Sequence, residues 1–456
     1  MDSEASEAAS RPPAGPRSRP LTGMRVVEVS GYVATPLSGM TLAQLGADVI
    51  RVEPIGGAPD RTRLPRAASG TSLYWSGLNK GKRAVEVDLS REAGRRLVAD
   101  LVVSGGARGG IVIVNFEGIP ELGHERLRAR RPDVIHVLLT GRRDGGAAVD
   151  YTVQAATGFP LLAGPEGDPR PVNSVVPAWD VAAGLYLATG LLAAERHRLL
   201  TGEGQQVRVA LEDVALATAG NLGYLAEVQV TGTPRERCGN HVYGTFGRDF
   251  ATSDGGRLMV VALTARHWRD LVAATGLTEA VAALARALGA DFGEEAERHR
   301  HRGLLAELLA GWFGARTLAE AEAALRPTRV LWSVYRSFTD LAAGDALRDH
   351  PLMGELVQPG VGRHWAPGSP VVMDGEQAPP APAPPVGRHT AEVLRAELGL
   401  SAEELARLRD DGVIGTYDGE RHEEADGTPE RHDGVLKTHE RHDGVIRARD
   451  DDREAE

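Results

Sequence analysis

The sequence predicts an α/β protein with a large domain built on a doubly wound parallel sheet and a smaller α+β domain. Short apolar runs alternate with helical patterns of about ten to fifteen residues, which is typical of strand–helix–strand units. The runs are apolar almost throughout, as expected of strands buried on both faces. A chain of 456 residues is also too long for one ordinary core, which favours two domains.

The predicted strands follow one another in a regular order. The first is Met24 to Val29, which ends in Ser-Gly and precedes a helical pattern that stops at Gly46. Ser90, Thr390 and Ser401 are predicted to cap later helices. The further predicted strands lie within residues 47–54, 83–90, 110–116, 133–141 and 204–210.

The binding region is expected at one edge of this sheet, because doubly wound sheets bind ligands at the carboxyl ends of their strands. The relevant loops follow Val29, Pro54, Asn79 and Phe116. No Gly-x-Gly-x-x-Gly follows the first strand, and no Gly-x-x-x-x-Gly-Lys-Ser/Thr occurs. The sequence therefore predicts neither a dinucleotide site nor a P-loop.

The second half of the chain predicts the domain organisation. A turn-rich segment indicates an antiparallel hairpin around Ser253–Gly256, helical segments follow it, and proline-rich extended chain leads to two closing helices. The predicted divisions are a disordered leader (1–22), the N-terminal part of a large ligand-binding domain (23–228), a small domain (229–330), a connector that returns to the large domain (331–415) and a disordered repetitive tail (416–456).

Composition excludes several classes of protein. The net charge of −11 argues against a nucleic-acid-binding surface. The sequence has neither the apolar core of a secretory signal nor a membrane span, so we expect a cytoplasmic protein with no membrane partner. One cysteine, Cys238, excludes an internal disulfide framework. The hexapeptide ERHDGV occurs at 430–435 and 440–445, but its surroundings are too polar to fold, and no metal site is predicted.

Asp180 is the first candidate for chemistry. It is the only carboxylate between Val176 and Ala194, and an uncharged run from Val181 to Ala194 follows it. One interpretation is a helix N-cap, since Asp is a preferred cap and the apolar helix is expected to be buried. The other is a nucleophile, because a carboxylate on a buried wall at a helix N-terminus suits attack on a carbonyl. The two roles are compatible.

A basic cluster of Lys80, Lys82 and Arg83 directly precedes the third predicted strand. It is either a solvated turn or a grip for phosphate groups, because several cations at the mouth of such a sheet suit a polyphosphate.

Five stretches, in this order, resemble the class III CoA-transferases: VVEVSGYVATPLSGMTLAQLGADVIRVEP, LNKGKRAVEVDLS, DYTVQAATG, TGEGQQVRVALEDVAL and RDDGVI. The resemblance runs from Met24 to about Ile414. It implies a Rossmann-like large domain, a small domain and a homodimer whose two chains interlock like links. It also implies that Asp180 is a nucleophile that forms an aspartyl-CoA thioester, that the substrate is an acyl-CoA, and that no further cofactor is needed.

The resemblance also implies site residues. Those expected to contact CoA are Val33, Ala34, Asn79, Lys80, Lys82 and Arg83. Those expected to line the acyl pocket are His241, Tyr243, Gly244 and Arg248, in and directly after the loop 241–247, which replaces a glycine-rich loop of the family. His241, Tyr243 or Arg248 is the candidate to hold the free carboxylate of the acyl group. The alternative for this loop is a structural role only. Val33 stands where some members have a Gln close to the thioester, and Glu117 stands where an Arg is common.

Several activities are compatible with this family. The segments VNSVVPAWD and GNHVYGTFGRDFATSDGGRLMVVALTARHW resemble members that move CoA between the two carboxyl groups of mesaconate. The alternatives are transfer from an acyl-CoA such as succinyl-CoA to another acid, and a CoA-binding protein without turnover, against which Asp180 argues. Racemases of the superfamily use a His at the position of Val149, so two-base racemisation lacks one base here.

Overall fold

The structure is a computed structural model that describes residues 19–415 and residue 417. Residues 1–18 of the predicted leader and all of the predicted tail except residue 417 lie outside the described residues. The strands are β1 (Arg25–Val29), β2 (Asp48–Glu53), β3 (Arg83–Glu86), β4 (Ile111–Val114), β5 (Ile135–Thr140), β6 (Gln206–Ala210), β7 (Phe246–Ala251), β8 (Arg257–Ala262), β9 (Leu331–Val334), β10 (Met353–Gln358), β11 (Gly362–Pro367), β12 (Val372–Met373) and β13 (Glu376–Gln377).

The helices alternate with these strands in the first half of the chain and dominate the region after β8. They are α1 (Ala34–Gln44), α2 (Leu73–Leu78), α3 (Glu92–Val103), α4 (His124–Arg130), α5 (Asp150–Ala156), α6 (Phe159–Leu162), α7 (Ala178–Thr201), α8 (Leu211–Asn221), α9 (Tyr224–Thr231), α10 (Ala265–Ala274), α11 (Thr278–Leu288), α12 (Glu295–Arg300), α13 (Arg302–Gly314), α14 (Leu318–Leu325), α15 (Phe338–Ala343), α16 (Asp345–Arg348), α17 (Thr390–Leu398) and α18 (Ala402–Asp410).

The main sheet has six parallel strands in the order β3-β2-β1-β4-β5-β6. Its central strands are apolar because both faces are covered; all residues of β4, for example, are buried. One apolar core lies between the sheet and helices α3, α4, α17 and α18, and a second lies between the sheet and helices α1, α5, α7 and α8. The predicted doubly wound α/β architecture is confirmed.

The order of the strands reverses at the centre of this sheet. The chain passes from β1 outward to β2 and β3 and then returns to β4 on the other side of β1. The loops that follow β1 and β4 therefore diverge and leave a crevice at the carboxyl edge, which is where such sheets bind ligands.

A second sheet of three antiparallel strands, β7-β8-β9, packs with helices α10 to α14 around its own core, which includes Phe246, Trp268 and Phe313. Strands β7 and β8 form the hairpin that the turn signal around Ser253–Gly256 predicts. Part of the segment predicted to be extended forms short antiparallel pairs, in which β10 pairs with β11 and β12 pairs with β13.

None of the helices within residues 19–415 combines the length and the apolar character that crossing a lipid bilayer requires.

Candidate active site

Asp180 lies in the first turn of α7, at the third helical residue, and Pro177 occupies the N-cap position. The prediction that Asp180 caps this helix is therefore wrong. The cap comes from Asp150 at the start of α5: its Oδ2 atom accepts hydrogen bonds from the backbone N–H of Trp179 (2.7 Å) and of Asp180 (3.1 Å). The Asp180 carboxylate is consequently left without a capping role.

Asp150 is itself fixed by a chain of hydrogen bonds. Its second oxygen accepts from Nε2 of Gln154, one helical turn along α5, and Oε1 of Gln154 accepts from the backbone N–H of Ser174 at 2.9 Å. The side chains of Asp150 and Gln154 are both buried. This chain ties the segment before α7 to α5 and sets the position of Asp180. The Asp-x-x-x-Gln spacing was visible in the sequence, but its partner in α7 was not.

Asp180 opens into a cavity of about 720 Å³ at the point where the strand order reverses. The walls come from the loops after β1, β4 and β5, from the segment before α2 and from the starts of α5 and α7. Lining residues include Gly31, Tyr32, Val33, Ala34, Arg63, Tyr74, Asn115, Thr140, Gly141, Val149, Asp150, Tyr151, Pro177 and Asp180. The structure thus places Val33 and Ala34 in the same cavity as Asp180, and their contact with CoA stays a prediction.

The start of α1 lies at this cavity, where Val33 and Ala34 form part of the wall. Ala34 is the first residue of α1, so its N–H has no acceptor within the helix. The helix carries no acidic residue in its first turn that could compete for this end. A developing negative charge on a substrate oxygen would be stabilised there.

Burial and charge both act on Asp180. Burial raises the pKa of its carboxyl to about 6, the neighbouring Asp150 carboxylate contributes to the rise, and Arg63 opposes it. At neutral pH the group is still mostly ionised, but it is poorly solvated. A carboxylate in this state is a better nucleophile than an exposed one.

A buried network of charges supports the wall of the cavity. The Arg51 guanidinium donates to Glu28 (2.7 Å) and Glu53 (3.1 Å) and contacts Asp60 (3.4 Å). The same Oδ2 atom of Asp60 accepts from the backbone N–H of Tyr32 at 2.8 Å. Tyr32 has a φ of 71°, an uncommon conformation for a residue other than glycine, so this bond helps to hold the loop after β1.

Lys82 belongs to this network. Its Nζ atom donates to the Pro36 carbonyl (2.8 Å) and to Asn79 Oδ1 (2.9 Å), and lies 2.8 Å from Glu28 Oε2. Burial lowers the pKa of the Lys82 ammonium to about 8, and Glu28 opposes this effect. Lys82 and Asn79 therefore have internal partners and do not line the Asp180 cavity.

The other two cations of the predicted phosphate grip also have protein partners. Arg83 pairs with Asp48, and the Nζ atom of Lys80 donates to the Pro367 carbonyl at 2.7 Å. Lys80 lines a separate cavity between α2 and the β10–β11 hairpin. Neither residue lines the Asp180 cavity, and a contact of this cluster with CoA stays a prediction.

A second cavity of about 480 Å³ adjoins the first and shares part of its wall. Glu117, which replaces the Arg common in the family, lies in this second cavity and pairs with Arg208 at 3.4 Å. The residues lining both cavities are Asn115, Leu139, Thr140, Gly141, Ala148 and Val149.

The predicted acyl-pocket residues lie elsewhere in the chain. The Tyr243 hydroxyl donates to Glu227 at 2.6 Å, Arg248 lies 3.9 Å from Glu307, and Gly244 has a φ of 80°. His241 is in the same loop, where its N–H donates to the Cys238 carbonyl. None of the four lines the Asp180 cavity within one chain, so their contact with the acyl group stays a prediction.

Val149 is 60% exposed and lines the Asp180 cavity. The position at which racemases carry a histidine is therefore inside the site, and an apolar side chain occupies it. A second base on that side of the substrate is not supplied by this position.

Comparison with known proteins agrees with this geometry. A sequence profile for the family described as CoA-transferase family III matches residues 21–390. The 2-methylfumaryl-CoA isomerase of Chloroflexus aurantiacus is 49% identical over 398 residues, which cover 86% of this chain and 97% of that protein. The succinyl-CoA:mesaconate CoA-transferase of Haloarcula hispanica is 29% identical over 394 residues, which cover 82% of this chain and 95% of that protein.

A solved structure shares the fold. A CAIB/BAIF family protein from Brucella suis aligns with a TM-score of 0.68 and 27% sequence identity, over 83% of this chain and 99% of that chain. The likeness thus extends over nearly the whole length of these relatives.

Proposed function

The chain belongs to CoA-transferase family III, and from that premise we propose that it moves CoA from one carboxyl group of mesaconate to the other. This reaction converts 2-methylfumaryl-CoA to 3-methylfumaryl-CoA. The observation that carries the proposal is the position of Asp180: a carboxylate in the first turn of α7 that opens into the cavity at the reversal of strand order, while Asp150 takes the capping role. The 49% identity to a 2-methylfumaryl-CoA isomerase supports the choice of substrate.

The proposed reaction begins with attack by Asp180. Its oxygen bonds to the thioester carbonyl carbon, the C–S bond breaks, and a mixed anhydride and the CoA thiolate form. The thiolate then attacks the Asp180 carbonyl carbon, which gives an aspartyl-CoA thioester and frees the first carboxylate of mesaconate. The burial that raises the pKa of Asp180 and the Ala34 N–H at the start of α1 support these steps.

The second half repeats the first in reverse. The other carboxylate of mesaconate attacks the Asp180 carbonyl carbon and expels the thiolate. The thiolate attacks the mesaconyl carbonyl of the new anhydride and restores the Asp180 carboxylate. No proton or electron is consumed, so the reaction needs no cofactor beyond the CoA of the substrate. The diacid reacts before it leaves, because its second carboxylate is already at high effective concentration.

We place the CoA arm in the cavity that adjoins the Asp180 cavity. The two cavities share six lining residues, so a thioester beside Asp180 has a continuous path into the second cavity. The alternative is the basic cluster before β3. Lys82 is fully buried and Arg83 is paired with Asp48, so these two cations are less available to the phosphates of CoA.

The test is incubation of the purified protein with 2-methylfumaryl-CoA alone. We expect its regioisomer to form without any added acid, as followed by chromatography and mass spectrometry. Asp180→Asn is expected to lower the rate by at least about a thousandfold. Asp345→Asn makes the same change at an exposed carboxylate of α16 and is expected to keep the wild-type rate. An isomer that forms only when a second acid such as succinate is present would overturn the intramolecular proposal in favour of transfer between molecules.

We also propose that the active protein is a homodimer, in which a second copy of the chain covers α7. The support is an apolar surface on the outer sides of α7, α8 and α9, where Leu185 and Tyr186 are 49% and 53% exposed. Such a partner would also bring a second copy of the His241–Arg248 loop into the assembly.

A further inference from the structure

Among the described residues that line the Asp180 cavity, one cation has no ion-pair or hydrogen-bond partner for its guanidinium. Arg63 lines this cavity, and within residues 19–415 its guanidinium makes no ion pair and no side-chain hydrogen bond. Arg61, two residues earlier, differs because it donates to Glu53 at 3.0 Å. Arg63 follows a short 3-10 helix, Pro59–Thr62, whose Asp60 belongs to the buried network around Arg51. The backbone that carries Arg63 is therefore anchored, while its charge is available to a ligand.

Two tyrosines determine where this charge lies. The guanidinium carbon of Arg63 is 5.5 Å from the ring centre of Tyr32 and 5.0 Å from that of Tyr74, and both rings line the cavity. Contacts with two aromatic faces hold a guanidinium while leaving its N–H groups available. The charge also acts on the nucleophile, since Arg63 lowers the pKa of Asp180 against the effects of burial and Asp150.

We infer that Arg63 binds the carboxylate of the acyl group that is not reacting, so that the site selects acyl groups with a second carboxylate. This inference rests on the proposed function. A guanidinium presents paired N–H donors that match both oxygens of a carboxylate. No ion pair joins Arg63 to Asp180 in the described part of the chain, so both charges in this cavity are available to a diacid.

The same contact explains retention of the free diacid. When the aspartyl-CoA thioester has formed, mesaconate has two carboxylates and no covalent link to the protein. Arg63 holds either one while the other approaches the Asp180 carbonyl carbon. Without Arg63, the diacid escapes, and acids from solution take its place.

The test compares two thioesters that differ only in the second carboxylate: 2-methylfumaryl-CoA, and 2-methylcrotonyl-CoA, which carries a methyl group there. The rate at which the aspartyl-CoA thioester forms in a single turnover, stopped by acid and detected by mass spectrometry of the protein, reports the first half-reaction. Arg63→Gln is expected to slow this step about 10- to 100-fold for 2-methylfumaryl-CoA, the range for losing a hydrogen bond to a charged group. The rate with 2-methylcrotonyl-CoA is expected to stay unchanged.

The matched control is Arg66→Gln, the same change three residues along at an exposed arginine that does not line the cavity. Arg63→Lys keeps the charge and loses the paired donors, and is expected to fall between wild type and Arg63→Gln. A melting curve for each variant checks folding. A second readout is exchange: with ¹³C-mesaconate in solution, Arg63→Gln is expected to incorporate more label per turnover than wild type.

The outcomes separate the two proposals. A wild-type protein that fails to isomerise 2-methylfumaryl-CoA overturns the proposed function, while the comparison of the two thioesters still tests Arg63. An isomerase whose Arg63→Gln variant retains its rate overturns the role of Arg63 alone. Equal slowing for both thioesters also overturns it, because Arg63 would then serve the CoA portion or the fold.

Discussion

Asp150, the first residue of α5, and Asp180, in the first turn of α7, bring their carboxylates to the start of α7, but these carboxylates have different partners. Asp150 is buried and accepts two backbone N–H groups and the Gln154 side chain, whereas Asp180 faces the cavity. Burial raises the pKa of Asp180, and the nearby Asp150 charge adds to this rise. One carboxylate thus positions the helix and tunes the other, which is left free to react.

Changing Asp150 to Asn is expected to shift the pH dependence of kcat/KM. The proposed nucleophile is the carboxylate form of Asp180, so in the wild type kcat/KM falls as the pH drops below about 6. Removing the Asp150 charge lowers the pKa of Asp180, and the fall then begins at a lower pH. The measurement is kcat/KM for 2-methylfumaryl-CoA between about pH 4.5 and 8.

The same variant is expected to lower the rate at neutral pH. The backbone N–H of Ser174 fixes the orientation of the Gln154 amide, so Nε2 of Gln154 points at residue 150. When the amide oxygen of the new side chain accepts from α7, its amide nitrogen faces Nε2 of Gln154, and two donors oppose each other. Asp345→Asn is the control for an exposed carboxylate. An unchanged acid limb in the Asp150→Asn variant would contradict electrostatic coupling between the two aspartates.

Sequence patterns identified Asp180 as a candidate nucleophile, but they did not identify Asp150 as the residue that caps α7. Asp is a preferred N-cap, and the uncharged run begins directly after Asp180, so local signals place the helix start there. The helix instead begins at Ala178, because a carboxylate thirty positions before Asp180 satisfies its first donors. A contact between residues so far apart in the chain follows from how α5 and α7 pack, which local patterns do not report.

For helix α7 as a whole, local sequence patterns also predicted only part of its surroundings. Its apolar composition predicted burial on all sides, and one face does pack on the sheet through Trp179, Leu187 and Leu191. The other face is exposed in a single chain. The predicted helix caps are correct in part. Ser401 caps α18 together with Glu404. Ser90 donates to Asp88 and does not cap α3, and Thr390 is the first residue of α17, whose cap position is occupied by His389.

The basic cluster at β3 was predicted to bind phosphate. The internal partners of Lys82 instead favour a role in stabilising the fold. We expect Lys82→Met to lower the free energy of unfolding by about 3 kcal/mol, because Glu28 would keep its buried charge and lose one of its cations. Urea unfolding measures this change.

Lys80→Met provides the comparison for that variant. Lys80 donates to one carbonyl, so its loss is expected to cost about 1 kcal/mol. If Lys82 instead held a phosphate of CoA, Lys82→Met would leave the unfolding free energy unchanged and raise the KM for the acyl-CoA.

For the whole molecule, the sequence predicted the topology better than the site. Alternation of apolar runs and helices indicates a doubly wound sheet, and that order fixes a crevice beside β1 and β4. The loops after Val29 and Phe116 do border the cavity and its neighbour, through Tyr32 and Glu117. Arg63 was not identified, because an arginine in a loop among other charged residues and prolines has no distinctive spacing. The small-domain loop at His241 was placed in the site by resemblance, and one chain does not bring it there.

The exposed apolar surface leads to a prediction for the assembly. Helices α7, α8 and α9 are consecutive neighbours, and their outer sides expose Leu185, Tyr186, Leu216, Leu222, Leu225 and Val228. Several exposed apolar side chains on neighbouring helices are typical of an interaction site. Leu185 and Tyr186 lie on the helix that carries Asp180, so a partner that covers them contacts the helix of the proposed nucleophile.

We therefore expect the wild-type protein to be a dimer at micromolar concentration, as measured by light scattering after size-exclusion chromatography. Leu185→Glu combined with Tyr186→Glu places two charges on the apolar surface and is expected to weaken the dimer at least about a hundredfold and to reduce isomerase activity with it. Leu288→Glu makes a similar change on α11, where the side chain is 40% exposed, and is expected to leave the dimer intact. A wild-type monomer with full activity would contradict the proposed assembly and would require the site to be complete within one chain.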